Sequence, residues 1–184
     1  MNTEQTEPTE PENEKIINCF PKETIKKVSN TKPKKNRMII QNWVLQPEDY
    51  ILENQFYFLL DANLPDQKYQ TKIALQQINA KIQGYKSQDL LKSIFNPNEF
   101  VSMDYLLELF KKTEMKCFYC QTQLRILYML VREPTQWTLD RIDNKLGHNK
   151  TNVVISCLKC NLKRRCMLHN KFTQTKQLKI VKLI

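Results

Sequence analysis

The chain has 184 residues, enough for one domain with a smaller companion but too few for two large domains. Its 2 glycines exclude a glycine-rich phosphate loop or a dinucleotide-binding fingerprint, and no apolar run is long enough to cross a bilayer. The 29 Lys and Arg residues outnumber the 19 Asp and Glu residues, which disfavours a neutral small molecule as the partner. The first residues lack the pattern of a secretory signal, so we expect an intracellular protein in a reducing compartment, with no membrane partner.

Residues 1–37 predict a disordered tail. Glu, Thr, Pro, Asn and Lys dominate this stretch and its apolar residues are isolated, so it cannot form a packed core. Its basic end, residues 32–37, fits either a nuclear-import signal or a non-specific phosphate contact, and short runs of this kind are common by chance.

Residues 38–115 predict a small helical module, in which 7 basic side chains stand against 10 acidic ones. Because no catalytic spacing occurs in it and its charge is negative, we expect it to pack on the rest of the chain or to position it. The expected landmarks are a helix start at Pro47, a second helix from Tyr69 to a stop at Gly84, a short helix opened by Ser87, and a helix capped by Ser102.

Residues 116–184 hold the excess positive charge, with 14 basic and 3 acidic side chains. A segment this basic predicts an anionic partner such as nucleic acid, and the alternative is a solvated basic face with no specific partner. Residues 137–143 and 151–156 have strand patterns on either side of a loop, and residues 160–167 follow as a helix. Residues 125–131 fit either a strand or a helix.

Four of the six cysteines form two C-x-x-C pairs, and we expect them to bind one structural zinc ion. Two thiolates three residues apart can turn toward the same ion, and two such pairs complete the tetrahedron that zinc prefers. Buried thiols or a redox pair are the alternatives, but a redox C-x-x-C motif occurs singly beside a strand–helix unit. The expected ligands are Cys117, Cys120, Cys157 and Cys160.

Five motifs follow one another in this basic third: Cys117-x-x-Cys120, Trp137-Thr138-Leu139-Asp140-Arg141-Ile142-Asp143-Asn144, Gly147-His148, Asn152-Val153-Val154 and Cys157-x-x-Cys160-Asn161-x-Lys163-Arg164. In this order they resemble the HNH nucleases, a ββα-metal family with zinc-stapled members, and most closely a branch found in phages and large DNA viruses. The resemblance implies an α+β fold, in which a disordered tail (1–37) and a helical module (38–115) precede a zinc-stapled ββα-metal domain (116–184).

The resemblance also implies a metal-dependent endonuclease that hydrolyses phosphodiester bonds, with double-stranded DNA as the expected partner. In the family an acid at the end of the first strand and a polar residue on the helix hold a catalytic magnesium or another divalent cation. Asp140 and Asn161 occupy those positions, and their oxygen ligands suit Mg²⁺, whereas the zinc would be structural. Asn152 matches the residue that braces the loop between the strands. Phosphate contacts are expected from basic side chains on the surface of the helix and beside it: Lys159, Lys163, Arg164 and Arg165.

One position departs from the family pattern. The general base of the family is a histidine directly after the metal-binding acid, and here that position holds Arg141, which cannot accept a proton. Three interpretations stay open. Arg141 holds the phosphate while another group acts as base, or water reacts without a protein base, or the chain binds DNA without cutting it. Because the viral branch commonly carries Asp-Arg here, we favour retained catalysis. The candidate bases are His148, His169 and Tyr119, although for His148 we favour a side chain that simply closes the loop.

Overall fold

The computed structural model describes residues 34–178, so the predicted tail of residues 1–37 lies almost entirely outside the described residues. Within the described range three α-helices precede an antiparallel hairpin and two follow it, which confirms a mixed α and β fold. No helix between residues 34 and 178 combines the length and the apolar character needed to cross a bilayer. The elements are α1 (Leu52–Leu60), α2 (Tyr69–Leu91), α3 (Met103–Lys112), β1 (Trp137–Arg141), β2 (Val153–Cys157), α4 (Leu158–Arg164) and α5 (His169–Gln177).

The helix α2 is longer than the sequence predicted. It continues through Gly84 to Leu91, so the expected stop at Gly84 and the expected separate helix after Ser87 are both wrong. A glycine inside a helix costs only about 0.5–1 kcal/mol relative to alanine, which packing on the rest of the helix can offset. The Ser87 hydroxyl donates to the carbonyl of Gln83 one turn earlier and caps no new helix.

The helices α1, α2 and α3 pack around an apolar core. The sequence prediction of a cap at Ser102 is confirmed, because its side chain accepts a hydrogen bond from the backbone N–H of Tyr105 at the start of α3. Pro47 begins a short 3-10 turn, and α1 follows it. Removing the large apolar side chains of this core from water is the main driving force for its folding. Those fully buried are Leu59, Ile78, Leu106 and Phe110.

The strands β1 and β2 form a two-stranded antiparallel sheet in which Trp137 lies opposite Cys157 and Arg141 lies opposite Val153. Both faces of β1 are buried. The ring of Trp137 packs 5.1 Å from that of Phe110 on α3, while the opposite face of the strand lies against α4. A two-stranded sheet is marginal by itself in water, so this hairpin depends on the helices on its two sides.

Helix α2 also covers the outer edge of β1. The phenol oxygen of Tyr85 accepts a hydrogen bond from the backbone N–H of Leu139 at 3.0 Å, and the Lys81 ammonium donates to the carbonyl of Trp137. These side chains satisfy backbone groups that a neighbouring strand would otherwise pair, and so they close the edge of the sheet.

Residues 125–131 form neither a strand nor a helix, although the sequence fits both. Ile126 and Leu127 are fully buried in an irregular segment. Its backbone is satisfied by Gln55 of α1, whose side-chain oxygen accepts from the N–H groups of Ile126 and Leu127 and whose amide donates to the carbonyl of Leu127. Buried backbone groups need such partners, and here a distant side chain supplies them.

Two further segments pack on the hairpin and its connections. Residues 35–37, which the sequence assigned to the tail, pair with residues 129–131, and the guanidinium of Arg37 lies 4.3 Å from the ring centre of Tyr128. On the other side, Phe172 of α5 is buried, with its ring centre 4.8 Å from that of Tyr119.

Candidate functional site

The two C-x-x-C pairs come together at the base of α4. The four sulfur atoms all lie within 4.8 Å of one another. The first pair lies on a tight turn, in which Gln121 takes a positive φ of 58° and its N–H donates to the carbonyl of Cys117. The second pair begins α4, where the sulfur of Cys157 accepts a hydrogen bond from the N–H of Cys160.

This cluster fits a tetrahedral metal ion such as zinc. Zinc–sulfur bonds of about 2.3 Å place two ligand sulfurs about 3.8 Å apart at the corners of a tetrahedron. The sulfur atoms of Cys120 and Cys157 are 3.8 Å apart. The prediction that these four cysteines form a cluster able to hold a metal is therefore confirmed.

Hydrogen bonds and burial shift the pKa values of the thiols in this cluster. A hydrogen bond from Cys157 lowers the pKa of Cys117 to about 5, and the same bond raises the pKa of Cys157 well above the usual thiol range. Burial raises the pKa of Cys160 to about 12. Because ligand sulfurs must be thiolates, a bound divalent cation would displace these protons and link the folding of the hairpin to metal binding.

A cavity of about 610 Å³ lies between β1, the loop of residues 142–150, α4 and the C-terminal half of α2. It brings together five of the residues that the sequence singled out, whereas Lys159 and Lys163 are exposed on α4 and do not line it. The five are Asp140, Arg141, His148, Asn161 and Arg165.

Asp140 is held in a buried ion pair. Its Oδ2 accepts from the Tyr119 hydroxyl at 2.7 Å and from Nε of Arg164 at 2.6 Å, and its Oδ1 accepts from Nη2 of Arg164 at 2.8 Å. Arg164 is only 2% exposed, so the expectation that this guanidinium lies on the helix surface is wrong. The helix turns it inward to the carboxylate, where a phosphate in solvent cannot reach it.

Asn161 is oriented by β1. Its amide nitrogen donates to the hydroxyl of Thr138 at 3.1 Å and to the carbonyl of Leu139 at 3.2 Å, so both amide hydrogens are used and the oxygen is left for another partner. This oxygen and the remaining lone pair of Oδ1 on Asp140 are hard ligands of the kind that Mg²⁺ takes while it keeps several waters. The donor set therefore fits magnesium, although the nearby Arg164 cation weakens the attraction.

Side-chain hydrogen bonds from Asn152 and Arg141 hold the loop between the strands. Asn152 accepts from the N–H of Asp143 at 2.9 Å and donates to the carbonyls of Asp143 and Gly147 at 2.9 Å each. Nη1 of Arg141 donates to the carbonyls of Asn144 and Leu146. Nη1 of Arg141 is thus used in hydrogen bonds to the loop, while the side chain also lines the cavity.

His148 is buried at the wall of the cavity next to a partner that the sequence did not reveal. Its Nδ1 lies 2.7 Å from Oδ1 of Asp89, a fully buried carboxylate near the end of α2. Burial lowers the pKa of His148, although Asp89 acts in the opposite direction. The sequence places Lys81, Tyr85 and Asp89 four residues apart, on one face of a helix, but does not show what that face contacts.

The other two candidate bases lie behind Asp140, outside the lining of the cavity. Nδ1 of His169 is 3.1 Å from the Tyr119 hydroxyl, which donates to Asp140. Burial raises the pKa of Tyr119 far above its ordinary value, so this phenol is a poor proton acceptor. Of the three candidates, His148 is the one that shares a cavity with Asp140 and Asn161.

No family model, curated protein or solved structure matches this chain. The resemblance of its motifs to the HNH nucleases therefore stays a prediction.

Proposed function

We propose that this protein is a zinc-stabilised, metal-dependent endonuclease that hydrolyses phosphodiester bonds in DNA. The observation that carries the proposal is the shared cavity, in which Asp140, Asn161 and His148 meet next to the four-cysteine cluster. A carboxylate oxygen and an amide oxygen can hold a divalent cation, and an imidazole can act as general base, which are roles that metal-assisted phosphodiester hydrolysis uses.

Asp140 and Asn161 would hold the divalent cation. When bound there, Mg²⁺ would neutralise charge on the scissile phosphate and on the leaving oxygen. The chain itself orients both ligands, because Arg164 fixes the carboxylate and Thr138 fixes the amide. Ligands held in this way lose little freedom when a cation and a phosphate arrive.

Positive side chains on three sides of the cavity support a phosphate as the ligand. Arg141 comes from β1, Arg165 follows α4 and Lys92 follows α2. Arg141 and Arg165 belong to the basic segment of residues 116–184. Contacts of this type bind the phosphates of DNA whatever the base sequence.

The zinc would have a structural role. It would join the turn that carries Cys117 to the start of α4, and Asn161 directly follows the ligand Cys160 on that helix. The metal would therefore keep α4 in register with β1, and with it the two oxygen ligands of the cavity.

The proposal is tested with zinc-loaded protein, supercoiled plasmid and Mg²⁺ or EDTA. Asp140→Asn is the informative variant, because Asp140→Ala would leave the buried Arg164 without a partner and could unfold the site. We expect Asp140→Asn to lower nicking by about 100-fold or more while zinc content stays unchanged. The exposed Asp66→Asn is the matched control and should cut like the wild type. Wild-type protein that binds zinc but never nicks the plasmid would contradict the proposal.

A second candidate is a zinc-stabilised module that binds DNA without cutting it. Two features favour it: the carboxylate of Asp140 is already paired with Arg164, and Arg141 stands where the HNH pattern has its histidine base. This candidate predicts salt-dependent DNA binding that needs no Mg²⁺ and survives Asp140→Asn, with no nicking under any condition.

A further inference from the structure

The candidate general base is held by a carboxylate from the helical part of the chain. We propose that Asp89 is a positioning residue of the nuclease site: it fixes His148 in the tautomer whose Nε2 can accept a proton from the attacking water. This role rests on the proposed function, and it answers how a chain with Arg141 after Asp140 could retain a protein base.

The hydrogen bonds define the tautomer. Oδ1 of Asp89 lies 2.7 Å from Nδ1 of His148, and Oδ2 accepts from the backbone N–H of His148 at 2.6 Å. A carboxylate only accepts hydrogen bonds, so Nδ1 carries the proton and Nε2 carries the lone pair. Within residues 34–178, Nε2 has no hydrogen-bond partner, and His148 lines the cavity.

Packing fixes the ring and the loop that carries it. The ring centre of Tyr85 lies 4.5 Å from that of His148, and the carbonyl of His148 accepts from the N–H of Val101 at 3.1 Å. A Cβ atom at Gly147 would lie 2.6 Å from the carbonyl of Ile94 and 2.8 Å from Oδ2 of Asp89. Only glycine therefore allows the loop to approach α2 closely enough for the contact between Asp89 and His148.

The charges around the imidazole favour a neutral base near pH 7. Burial is the largest influence on the pKa of His148 and lowers it, and the cations of Arg141 and Lys92 act in the same direction. Asp89 raises this pKa, and the phenol of Tyr85 stacks on the ring. Since burial prevails, the imidazole is uncharged and ready to accept a proton at neutral pH.

In the proposed hydrolysis, one proton moves from the attacking water to His148. The water oxygen attacks phosphorus, its proton passes to Nε2, and the bond to the leaving sugar oxygen breaks as that oxygen takes a proton from solvent water. The imidazolium that forms is stabilised through its Nδ1–H by the Asp89 carboxylate. Asp89 itself neither gains nor loses a proton.

The kinetic experiment compares Asp89→Asn and His148→Gln with the wild type and with the exposed Asp66→Asn, all zinc-loaded. We expect plasmid nicking at saturating DNA to fall about 10²- to 10⁴-fold in both site variants, with DNA affinity unchanged. Wild-type nicking should rise with pH below 6.5 and reach a plateau, because protonated His148 cannot act as base. In His148→Ala, added imidazole should restore part of the rate, and it should do nothing for Asp89→Asn.

Nuclear magnetic resonance tests the tautomer without any change at Asp89. The chain has 2 histidines, so His169→Gln assigns the imidazole ¹⁵N signals. We expect zinc-loaded protein above pH 7 to show His148 protonated at Nδ1 and unprotonated at Nε2.

The outcomes separate the two proposals. Wild-type protein that does not nick the plasmid would contradict both the proposed function and the role of Asp89. A wild type that nicks while Asp89→Asn remains fully active, or while His148 is protonated at Nε2, removes the role of Asp89 and leaves the nuclease. Nicking that is insensitive to His148→Gln overturns His148 as the base.

Discussion

Two regions of this chain are stabilised in different ways. In the helical region, residues 38–115, three helices bury large apolar side chains, and ordinary hydrophobic packing accounts for the fold. In the hairpin region, residues 116–178, apolar side chains are buried as well, but a buried ion pair also links the two-stranded sheet to a short helix, and four cysteines lie close enough to hold one metal ion. The region with the candidate chemistry therefore adds a cysteine cluster and a buried ion pair to an apolar core that it shares with the helices.

The two regions meet along one face of α2. Lys81 donates to the carbonyl of Trp137, Tyr85 accepts from Leu139, and Asp89 binds His148. Because these three α2 residues are four positions apart, a straight helix can present all of them to β1 and its loop. The helical region therefore supplies part of the wall of the cavity as well as support for the sheet.

The largest expected effect comes from removing the zinc ion that we propose for the cysteine cluster. Structural zinc contributes about 10 kcal/mol or more in small zinc domains, so Cys157→Ser or a strong chelator should abolish the folded hairpin region while most of the helical circular dichroism remains. Zinc analysis and circular dichroism on the same sample check this. The control is Cys166→Ser, an exposed cysteine outside the cluster, which should retain one zinc per chain. Equal zinc content in Cys157→Ser and Cys166→Ser would show that Cys157 is not a zinc ligand, and it would contradict the metal dependence of the hairpin region.

Breaking the buried ion pair should have the next largest effect. Arg164→Met leaves Asp140 charged, buried and without its cation, which we expect to lower the free energy of unfolding by about 3–5 kcal/mol. Arg165→Met changes an exposed neighbour and should cost less than about 0.5 kcal/mol. Urea denaturation of the zinc-loaded proteins measures both. Adding Asp140→Asn to Arg164→Met should recover much of the loss, and similar costs for the two arginines would argue against the ion pair as a support of the hairpin.

The junction between the regions should respond to pH through Lys81. Burial is the main influence that lowers the pKa of this ammonium, to about 7, and Arg37 adds to it. The unfolded chain therefore binds more protons than the folded one between pH 7 and about 10, so stability should rise with pH across this window. Lys81→Met should flatten that rise, whereas Lys72→Met, an exposed lysine on the same helix, should preserve it. Identical slopes in urea titrations of the two variants would contradict this.

The smallest effect tests whether the helical region follows ordinary helix energetics. Ser102→Ala removes the hydrogen bond to the N–H of Tyr105 and should cost about 1 kcal/mol. Ser87→Ala, within α2, should be close to neutral because that hydroxyl only donates to a helix carbonyl. Thermal unfolding compares the pair. A larger loss for Ser87→Ala would mean that the capping argument is wrong here.

Local signals in the sequence were enough to predict the cysteine cluster, the cap at Ser102 and a mixed fold. Each depends on residues a few positions apart or on a repeated pair, such as the two C-x-x-C motifs. The stop at Gly84 was wrong because tertiary packing outweighs a propensity cost of about 1 kcal/mol.

The partners of buried charges could not be predicted in the same way. Arg164 belongs to a basic run that is typical of an exposed helix face, and only the position of α4 against β1 turns it toward Asp140. The contact between Asp89 and His148 spans 59 positions of the chain, so no local pattern joins them. The hydrogen bonds from the backbone of residues 126–127 to Gln55 could not be predicted for the same reason.

Timed nicking of supercoiled plasmid by protein of known zinc content is the most direct measurement of the central claim. We predict that the wild type, with one zinc per chain, cuts in Mg²⁺ and stops in EDTA. Asp140→Asn, compared at equal zinc content and at a temperature below its own melting temperature, should be at least about 100-fold slower. Cutting by Asp140→Asn at the wild-type rate, or no cutting by the zinc-loaded wild type, would contradict the account.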